Sequence, residues 1–468
     1  MIFLLACLIH CLFIVSWLTG WLDFLFVEAV RGHGQSADFF GIYQAGENLL
    51  RGHSIYDSYD YINEAPLVVP YYYFYRYLPP TAYVAAFGAL ILKPEPAYWV
   101  WLIINELMIA LFILTLLKQR RWQVNRRYLA AAICLGFCPI YIEQFIGQFS
   151  LTMAMLLWLL WRQDDLSQSK LVKSPVRDDA ADDGRHSSSG PAKGILDSAK
   201  DIISKWRHYS WRRDTITSWS LPIIWAFSIT LKSFSIFLTW PYLIEGKLKR
   251  VLLTSAISAA LCLPYFAFHW HDLTEFLRLN LSPFSPQLYM GSFGLQNSLR
   301  DLCVHLPSSL TSVGWSLAGR EIHLTRLIML AISLSIILAA AWASIRYRHQ
   351  SHRTALNLLL WVTVFFLVFK SVWEYHYIMM LPGIFAVYLV RGSRFVIAMG
   401  ICLGLPTLYA LAPILFDVTP LDGLDSWPAW FRIVHFSVKT IPTLGLFGWC
   451  LYAAAKRTQA LSDLSGHA

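Results

Sequence analysis

Apolar runs of membrane-spanning length recur from one end of this chain to the other, and short basic clusters separate them. A helix needs about 20 apolar residues to cross a bilayer, fewer where it is packed inside a bundle. On that criterion candidate spans fall at 2–22, 97–117, 128–142, 149–161, 217–231, 233–245, 251–268, 324–345, 355–369, 377–390, 395–415 and 432–455. The pattern predicts an all-α polytopic membrane protein with about 12 transmembrane helices. Composition agrees. Of 468 residues, 56% are hydrophobic and only 14% charged, which excludes an ordinary soluble globule. The 20 Trp and 23 Tyr suit a protein with many membrane–water interfaces, where amphipathic rings settle.

The net charge of +9 is not a nucleic-acid signature, because the basic residues sit in short clusters between the apolar runs. They occupy 118–127, the 162–215 stretch, 247–250, 346–353, 391–394 and 456–457. Placing all of them in the cytoplasm closes a topology with both termini inside. The segment 79–92 is apolar but short, opened by Pro79-Pro80 and closed by Lys93-Pro94-Glu95-Pro96. If it spanned, the 118–127 cluster would lie outside. It is therefore expected to be an exterior juxtamembrane or re-entrant helix. The N-terminus lacks a basic n-region and a small-x-small cleavage site, so its apolar run reads as an anchored first helix.

Four parts follow: an N-terminal transmembrane part with the first exterior loop (1–161), a cytoplasmic loop (162–215), a C-terminal transmembrane part (216–455) and a cytoplasmic tail (456–468). Within the loop, Asp164-Asp165, Asp178-Asp179 and Asp182-Asp183 read as solvated charge in a disordered stretch. Ile195, Ala199, Ile202, Ile203, Trp206 and Tyr209 recur at helical spacing among basic residues. That pattern fits either an interfacial helix on an anionic leaflet or a helix packed on the bundle. Seven of the eight Cys lie in apolar segments, which leaves no disulfide framework and no metal-binding spacing. Cys134 and Cys138 share a predicted helix face and read as packing. His269 and His271 have spacing usable by a metal but lack a third ligand.

With this topology, polar groups from distant parts of the chain reach the exterior side: Asp38, the Glu143-to-Gln148 turn, Lys232, Gln296-Asn297, and Glu374 with His376. Convergence of that kind argues for a site at the outer leaflet. Segment 37–50 is amphipathic, with Phe39, Ile42, Tyr43, Gly46, Leu49 and Leu50 on one face. Ser36 is placed to cap it and Gly52 to end it. Asp38 then falls in the first turn, where the helix dipole favours an ionised carboxylate. Two readings stand side by side: a catalytic base, or a residue that merely stabilises the helix start.

Asp38-Phe39, Tyr43, Ala45, Leu49-Leu50, Gly52 and Tyr56-Asp57 are followed by Tyr77-Leu78-Pro79-Pro80, then Trp101 with Asn105. Later come Gly147-Gln148-Phe149-Ser150, Leu231-Lys232, Gln296-Asn297-Ser298, and Trp373 with His376. This ordered set resembles glycosyltransferase family 87, the polyprenyl-phosphate-mannose-dependent branch of the GT-C superfamily. The chain departs from the family pattern at Lys370-Ser371-Val372, where Ser-Pro is usual, and in its long 162–215 insertion.

The resemblance implies a GT-C-like bundle in the plasma (inner) membrane with its site on the periplasmic or extracellular side. It implies an inverting transferase that moves a hexose, usually mannose, from a polyprenyl-phosphate sugar to a glycolipid or glycan acceptor, without metal or other cofactor. Asp38 takes the family position of the general base. Lys232, His376 and Arg76 are the expected contacts of the donor phosphate, which leaves as an anion and needs cations instead of a proton donor. Tyr43, Gln148, Asn297 and Glu374 are the expected substrate contacts. Membrane lipids are the remaining partners. The rival reading is a transporter or flippase of lipid-linked sugars, for which Glu106, mid-span beside Asn105, is the one fitting residue. A non-catalytic scaffold is a third.

Overall fold

A computed structural model of the chain describes residues 1–21, 35–56, 75–118, 122–173, 219–281, 291–304, 314–317, 320–348, 350, 352–369, 372–407, 409, 411–416 and 426–465. Asp57, Lys370-Ser371 and the amphipathic pattern at 195–213 lie outside the described residues, as do Asp178-Asp179 and Asp182-Asp183.

The described chain is helical almost throughout. The order is α1 (Ile2–Thr19), α2 (Ala37–Leu50), α3 (Pro79–Ile91), α4 (Pro94–Leu117), α5 (Val124–Leu135), α6 (Cys138–Ile146) and α7 (Ser150–Lys173). Next come α8 (Ser220–Leu231), a 3-10 turn (Ser233–Leu238), α9 (Thr239–Ile244), α10 (Leu248–Phe268), α11 (Trp270–Leu281), strand β1 (Ser292–Phe293) and α12 (Leu295–Val304). Strands β2 (Gly314–Leu317) and β3 (Arg320–His323) form a small hairpin before α13 (Leu324–Tyr347) and α14 (Arg353–Val368). Strand β4 (Val372–Trp373), a second 3-10 turn (Glu374–Met380), α15 (Leu381–Arg391), α16 (Arg394–Gly404), α17 (Leu411–Phe416) and α18 (Ala429–Ser465) complete it.

Among the described residues four helices are long and apolar enough to cross a membrane: Pro94–Leu117, the α5–α6 unit Val124–Ile146, Leu248–Phe268 and Leu327–Tyr347. Others are apolar but shorter, among them Arg353–Val368. That helix, α14, is buried from Ala355 through Leu367 and packs against α13, α15 and α18. A helix hydrophobic on every side belongs at the centre of a bundle. Conversely, α4 turns Ile103, Leu107, Leu111 and Leu114 outward, and α10 exposes Leu252 and Leu263. Apolar surface of that extent calls for a lipid environment.

Several expectations change in detail. The run 128–142 is interrupted after Leu135, and α6 starts anew at Cys138 with Pro139 near its N-terminus, where the missing N–H costs nothing. Cys134 and Cys138 therefore sit on successive helices, both buried. The segment 79–92 forms α3, which packs closely on α2: a Cβ on Gly46 would stand 2.5 Å from the backbone of Ala85 and Ala86. α3 thus covers the expected apolar face at Gly46 and Ile42, while Phe40, Gln44, Ala45 and Asn48, off that face, are buried as well.

Polar side chains collect in two layers at opposite ends of the bundle. In one, Asp164 is not solvated: it is buried and accepts from Lys247 at 3.0 Å and Arg250 at 2.9 Å. Glu245 pairs with Lys247 at 2.7 Å and Arg353 at 3.6 Å, and Arg391 donates to Gln350 at 2.5 Å. Basic residues from loops far apart in sequence thus gather on one face. Asp164 lies fourteen residues beyond Ser150 on α7, about 21 Å along the axis. The second layer is at the Ser150 end.

Candidate functional site

The turn between α6 and α7 is the floor of this second layer. α6 ends because Gly147 adopts a left-handed backbone, φ 82°, and its amide closes on the Glu143 carbonyl at 2.8 Å. The same turn lies against the start of α2. The Ser36 amide donates to the Phe145 carbonyl at 2.7 Å, and a Cβ on Gly147 would stand 2.3 Å from Phe39 Cβ. Only glycine fits both the backbone and the gap. We expect Gly147→Ala to cost about 1–2 kcal/mol from its backbone alone, and to separate α2 from the turn. Thermal unfolding in detergent reads the loss; an unchanged midpoint would show the contact to be unimportant.

Ser36 occupies the N-cap position of α2, as expected, but its side chain does not cap. It donates to the Gln35 carbonyl at 2.5 Å, and its own backbone is left-handed at φ 66°. Asp38 falls in the first turn, and Gly52 (φ 76°) follows the helix end.

Gln148 is buried, and its Nε2 donates to Asp38 Oδ2 at 2.5 Å. The Tyr77 hydroxyl donates to Gln148 Oε1 at 2.8 Å. The carboxylate is thereby oriented through one oxygen. Among the described residues Oδ1 has no hydrogen-bond partner. Asp38 keeps part of its surface open, as do Tyr77, Lys232 and His376, while Arg76 is exposed. Burial pushes the Asp38 carboxyl up to about 6, against the Gln148 hydrogen bond and the charges of Lys232 and Arg76, which pull it down.

Lys232 projects from the break between α8 and the 3-10 turn, where its backbone is extended. The break is pinned behind it: Trp225 Nε1 donates to the Ser235 carbonyl at 3.0 Å, and Ser228 bonds Ser235 at 2.8 Å. Lys232 Nζ donates to Ser150 Oγ at 3.0 Å and lies 5.8 Å from the Phe149 ring centre and 5.1 Å from that of Tyr375. Burial lowers the ammonium to about 8, opposed by the negative charges of Glu143 and Asp38.

The Glu374–Met380 turn packs on both α6 and α7 and brings His376 to the cluster. The backbone amide of Trp373 donates to His376 Nδ1 at 3.1 Å, which places the ring proton on Nε2. Burial, with Lys232 nearby, holds the imidazole well below its ordinary value. His376 is therefore a neutral N–H donor, a correction to its expected role as a cation.

Three expected substrate contacts are committed to the framework instead. The Tyr43 hydroxyl donates to the Leu92 carbonyl at 2.6 Å, locking α2 to the end of α3. Asn297 Nδ2 donates to Ser292 Oγ at 2.8 Å and the Phe293 carbonyl at 3.2 Å. That secures strand β1, which pairs antiparallel with β4 just before His376. Glu374 is buried, accepts from Thr407 at 3.1 Å and pairs with Lys439 at 3.3 Å, so it does not hold His376. Lys439, itself wholly buried, also donates to the Leu403 and Leu405 carbonyls. Sequence reading passed over Lys439, although Arg432, His435 and Lys439 recur at i, i+3 and i+7 in an apolar run. Tyr77 and Ser150 were legible only as parts of the Tyr77-Leu78-Pro79-Pro80 and Gly147-to-Ser150 strings.

Glu106 accepts from Gln144 at 2.5 Å and pairs with His10 at 3.0 Å, while His10 Nδ1 meets the Tyr141 hydroxyl at 2.7 Å. It is an interhelical link between α1, α4 and α6. Elsewhere, His269 stacks on Tyr265 with ring centres 4.6 Å apart. Compared with known proteins, the chain matches no family model and no curated protein.

Proposed function

We propose that this protein is a membrane glycosyltransferase of GT-C type, with about twelve transmembrane helices and its site at the exterior membrane face. It transfers a hexose from a polyprenyl-phosphate sugar to a glycolipid or glycan acceptor, with inversion. The observation that carries this reading is Asp38, a partly open carboxylate oriented by Gln148 through one oxygen, with Lys232, Arg76 and the His376 N–H gathered beside it.

In the proposed reaction an acceptor hydroxyl oxygen attacks the anomeric carbon from the face opposite the phosphate. Its proton passes to Asp38 Oδ1 as the new C–O bond forms. The old C–O bond breaks, and its electron pair leaves on the polyprenyl phosphate. Lys232 and Arg76 stabilise the developing negative charge, and His376 Nε2–H donates to it. Asp38 then returns its proton to water.

The charge states set the pH dependence. Asp38 must be ionised to accept the proton, so activity rises as pH rises through about 6. Lys232 must be protonated to hold the phosphate, so donor use falls as pH rises through about 8. A bell-shaped profile with apparent limbs belonging to the coupled cluster is expected. The test of function is a transfer assay on purified protein in lipid, using a panel of polyprenyl-phosphate sugars across that pH range. Absence of transfer from every donor would overturn the reading.

A further inference from the structure

Tyr77 reaches Gln148, and Gln148 reaches Asp38, from a segment with no regular structure of its own. Residues 75–78 belong to no helix or strand, and Pro79 and Pro80, which follow, have no N–H to donate. Three successive carbonyls of this segment are nevertheless each held by a side chain. Asn280 Nδ2 donates to the Arg76 carbonyl at 3.2 Å, the Tyr56 hydroxyl to the Tyr77 carbonyl at 2.8 Å, and the Tyr75 hydroxyl to the Leu78 carbonyl at 2.6 Å. The Leu78 carbonyl also takes the Thr81 amide at 3.2 Å, in the first turn of α3. Asn280 comes from α11, whose Asp272, Phe276 and Asn280 are spaced four apart and so share one face. Asp272 accepts from the Tyr265 hydroxyl, which itself accepts from the Ile55 amide at 3.0 Å. The Phe276 ring lies 5.8 Å from that of Tyr56. One face of α11 thus grips both the 75–78 segment and the turn that carries Tyr56.

We infer that Tyr56, Tyr75 and Asn280 are positioning residues: by fixing these three carbonyls they hold Tyr77 against Gln148 and so set the aim of Asp38. The inference rests on Asp38 as the general base. The path from Tyr56 to the base is made of hydrogen bonds throughout. Tyr56 holds the Tyr77 carbonyl at 2.8 Å, the Tyr77 hydroxyl donates to Gln148 Oε1 at 2.8 Å, and Gln148 Nε2 donates to Asp38 Oδ2 at 2.5 Å. The Tyr77 ring also packs on Phe149, with centres 4.8 Å apart. Apolar packing of that kind has no direction; the bonds to the carbonyls supply it. Arg76 is fixed in the same way, since its own carbonyl and that of the next residue are both held. Tyr56 is only 2% exposed, so its effect on turnover passes through the backbone that it holds. A segment fixed in advance does not have to be ordered again each time a substrate enters.

The test deletes single donors. Tyr56→Phe removes only the hydroxyl and keeps the ring that packs against Tyr75 and Phe276. In transfer assays on purified protein in lipid, its turnover at saturating donor should fall about 10- to 100-fold, the scale of a misplaced reacting group. Asn280→Leu should fall in the same direction. A double-mutant cycle with Tyr77→Phe separates positioning from general stability. Once the Tyr77 hydroxyl is gone, Tyr56→Phe should cost almost nothing more. Additive losses, or parental turnover in both Tyr56→Phe and Asn280→Leu, would overturn the inference. A second measurement needs no sugar donor: hydrogen exchange of the peptide spanning 75–78, read by mass spectrometry in lipid nanodiscs. It should accelerate about five- to tenfold in each variant, as local opening becomes easier. Unchanged exchange would also overturn the inference. If the parent protein transfers no sugar from any donor, accelerated exchange would still support the anchorage of the segment, while the transferase reading, and positioning for transfer with it, would fall.

Discussion

Asp38→Asn should lose about 10²- to 10⁴-fold in turnover, the usual contribution of a general base, while donor binding and fold stay at parent levels. The substitution keeps the side-chain size, and an amide oxygen still accepts from Gln148 Nε2 in place of Oδ2. What disappears is the capacity to take a proton at Oδ1. The alternative, that Asp38 only stabilises the start of α2, predicts a different result. A helix-start charge is worth about 0.3–1 kcal/mol, so the variant would melt slightly earlier and turn over almost normally. Single-turnover transfer, with donor affinity measured separately, distinguishes the two. Near-parental turnover would remove Asp38 from the chemistry.

Lys439→Met should destabilise the bundle by about 3–5 kcal/mol, the cost of stranding one member of a buried ion pair. Lys439 has no exposed surface, and it is shared among Glu374 at 3.3 Å, the Leu403 carbonyl at 2.7 Å and the Leu405 carbonyl at 2.5 Å. Without it, among the described residues the buried Glu374 carboxylate keeps only Thr407 as a side-chain donor. The consequence extends to the site, because Glu374 opens the 3-10 turn that carries His376. The double variant Lys439→Met with Glu374→Gln should recover much of the loss, since no buried charge is then left alone. Equal unfolding midpoints for the single and double variants would show that the pair carries little of the stability.

The two layers explain why such a chain can keep charged groups in a largely apolar bundle. At one end, Asp164 and Glu245 neutralise Lys247, Arg250 and Arg353, so the basic loops are tied down instead of repelling one another. At the other, Asp38 and Lys232 keep part of their surface open, with Glu143 buried on α6. Of the two ends, the second has the features of a place where charge changes.

Much of this was legible in the sequence wherever the signal was local. The apolar runs announced the helices, because a backbone in lipid must satisfy its own hydrogen bonds. Pro79-Pro80 marked the start of α3, Gly52 the end of α2, and Asp38 fell in the first turn, since caps and proline act within a few residues. The Glu143-to-Gln148 turn, Lys232 and His376 were picked out because polar residues at the ends of apolar runs are conspicuous. What only the tertiary structure decided was which partner each polar group took. Tyr43, Asn297 and Glu374 looked as available as Gln148, but a carbonyl 49 residues away, a serine of strand β1 and a lysine in the last helix had claimed them. Asp164 looked solvated until Lys247 and Arg250 closed on it. Such pairings depend on distances between helices far apart in the chain, set by close approaches such as Gly46 on α3 and Gly147 on Phe39. Periodicity and spacing carry no information about them.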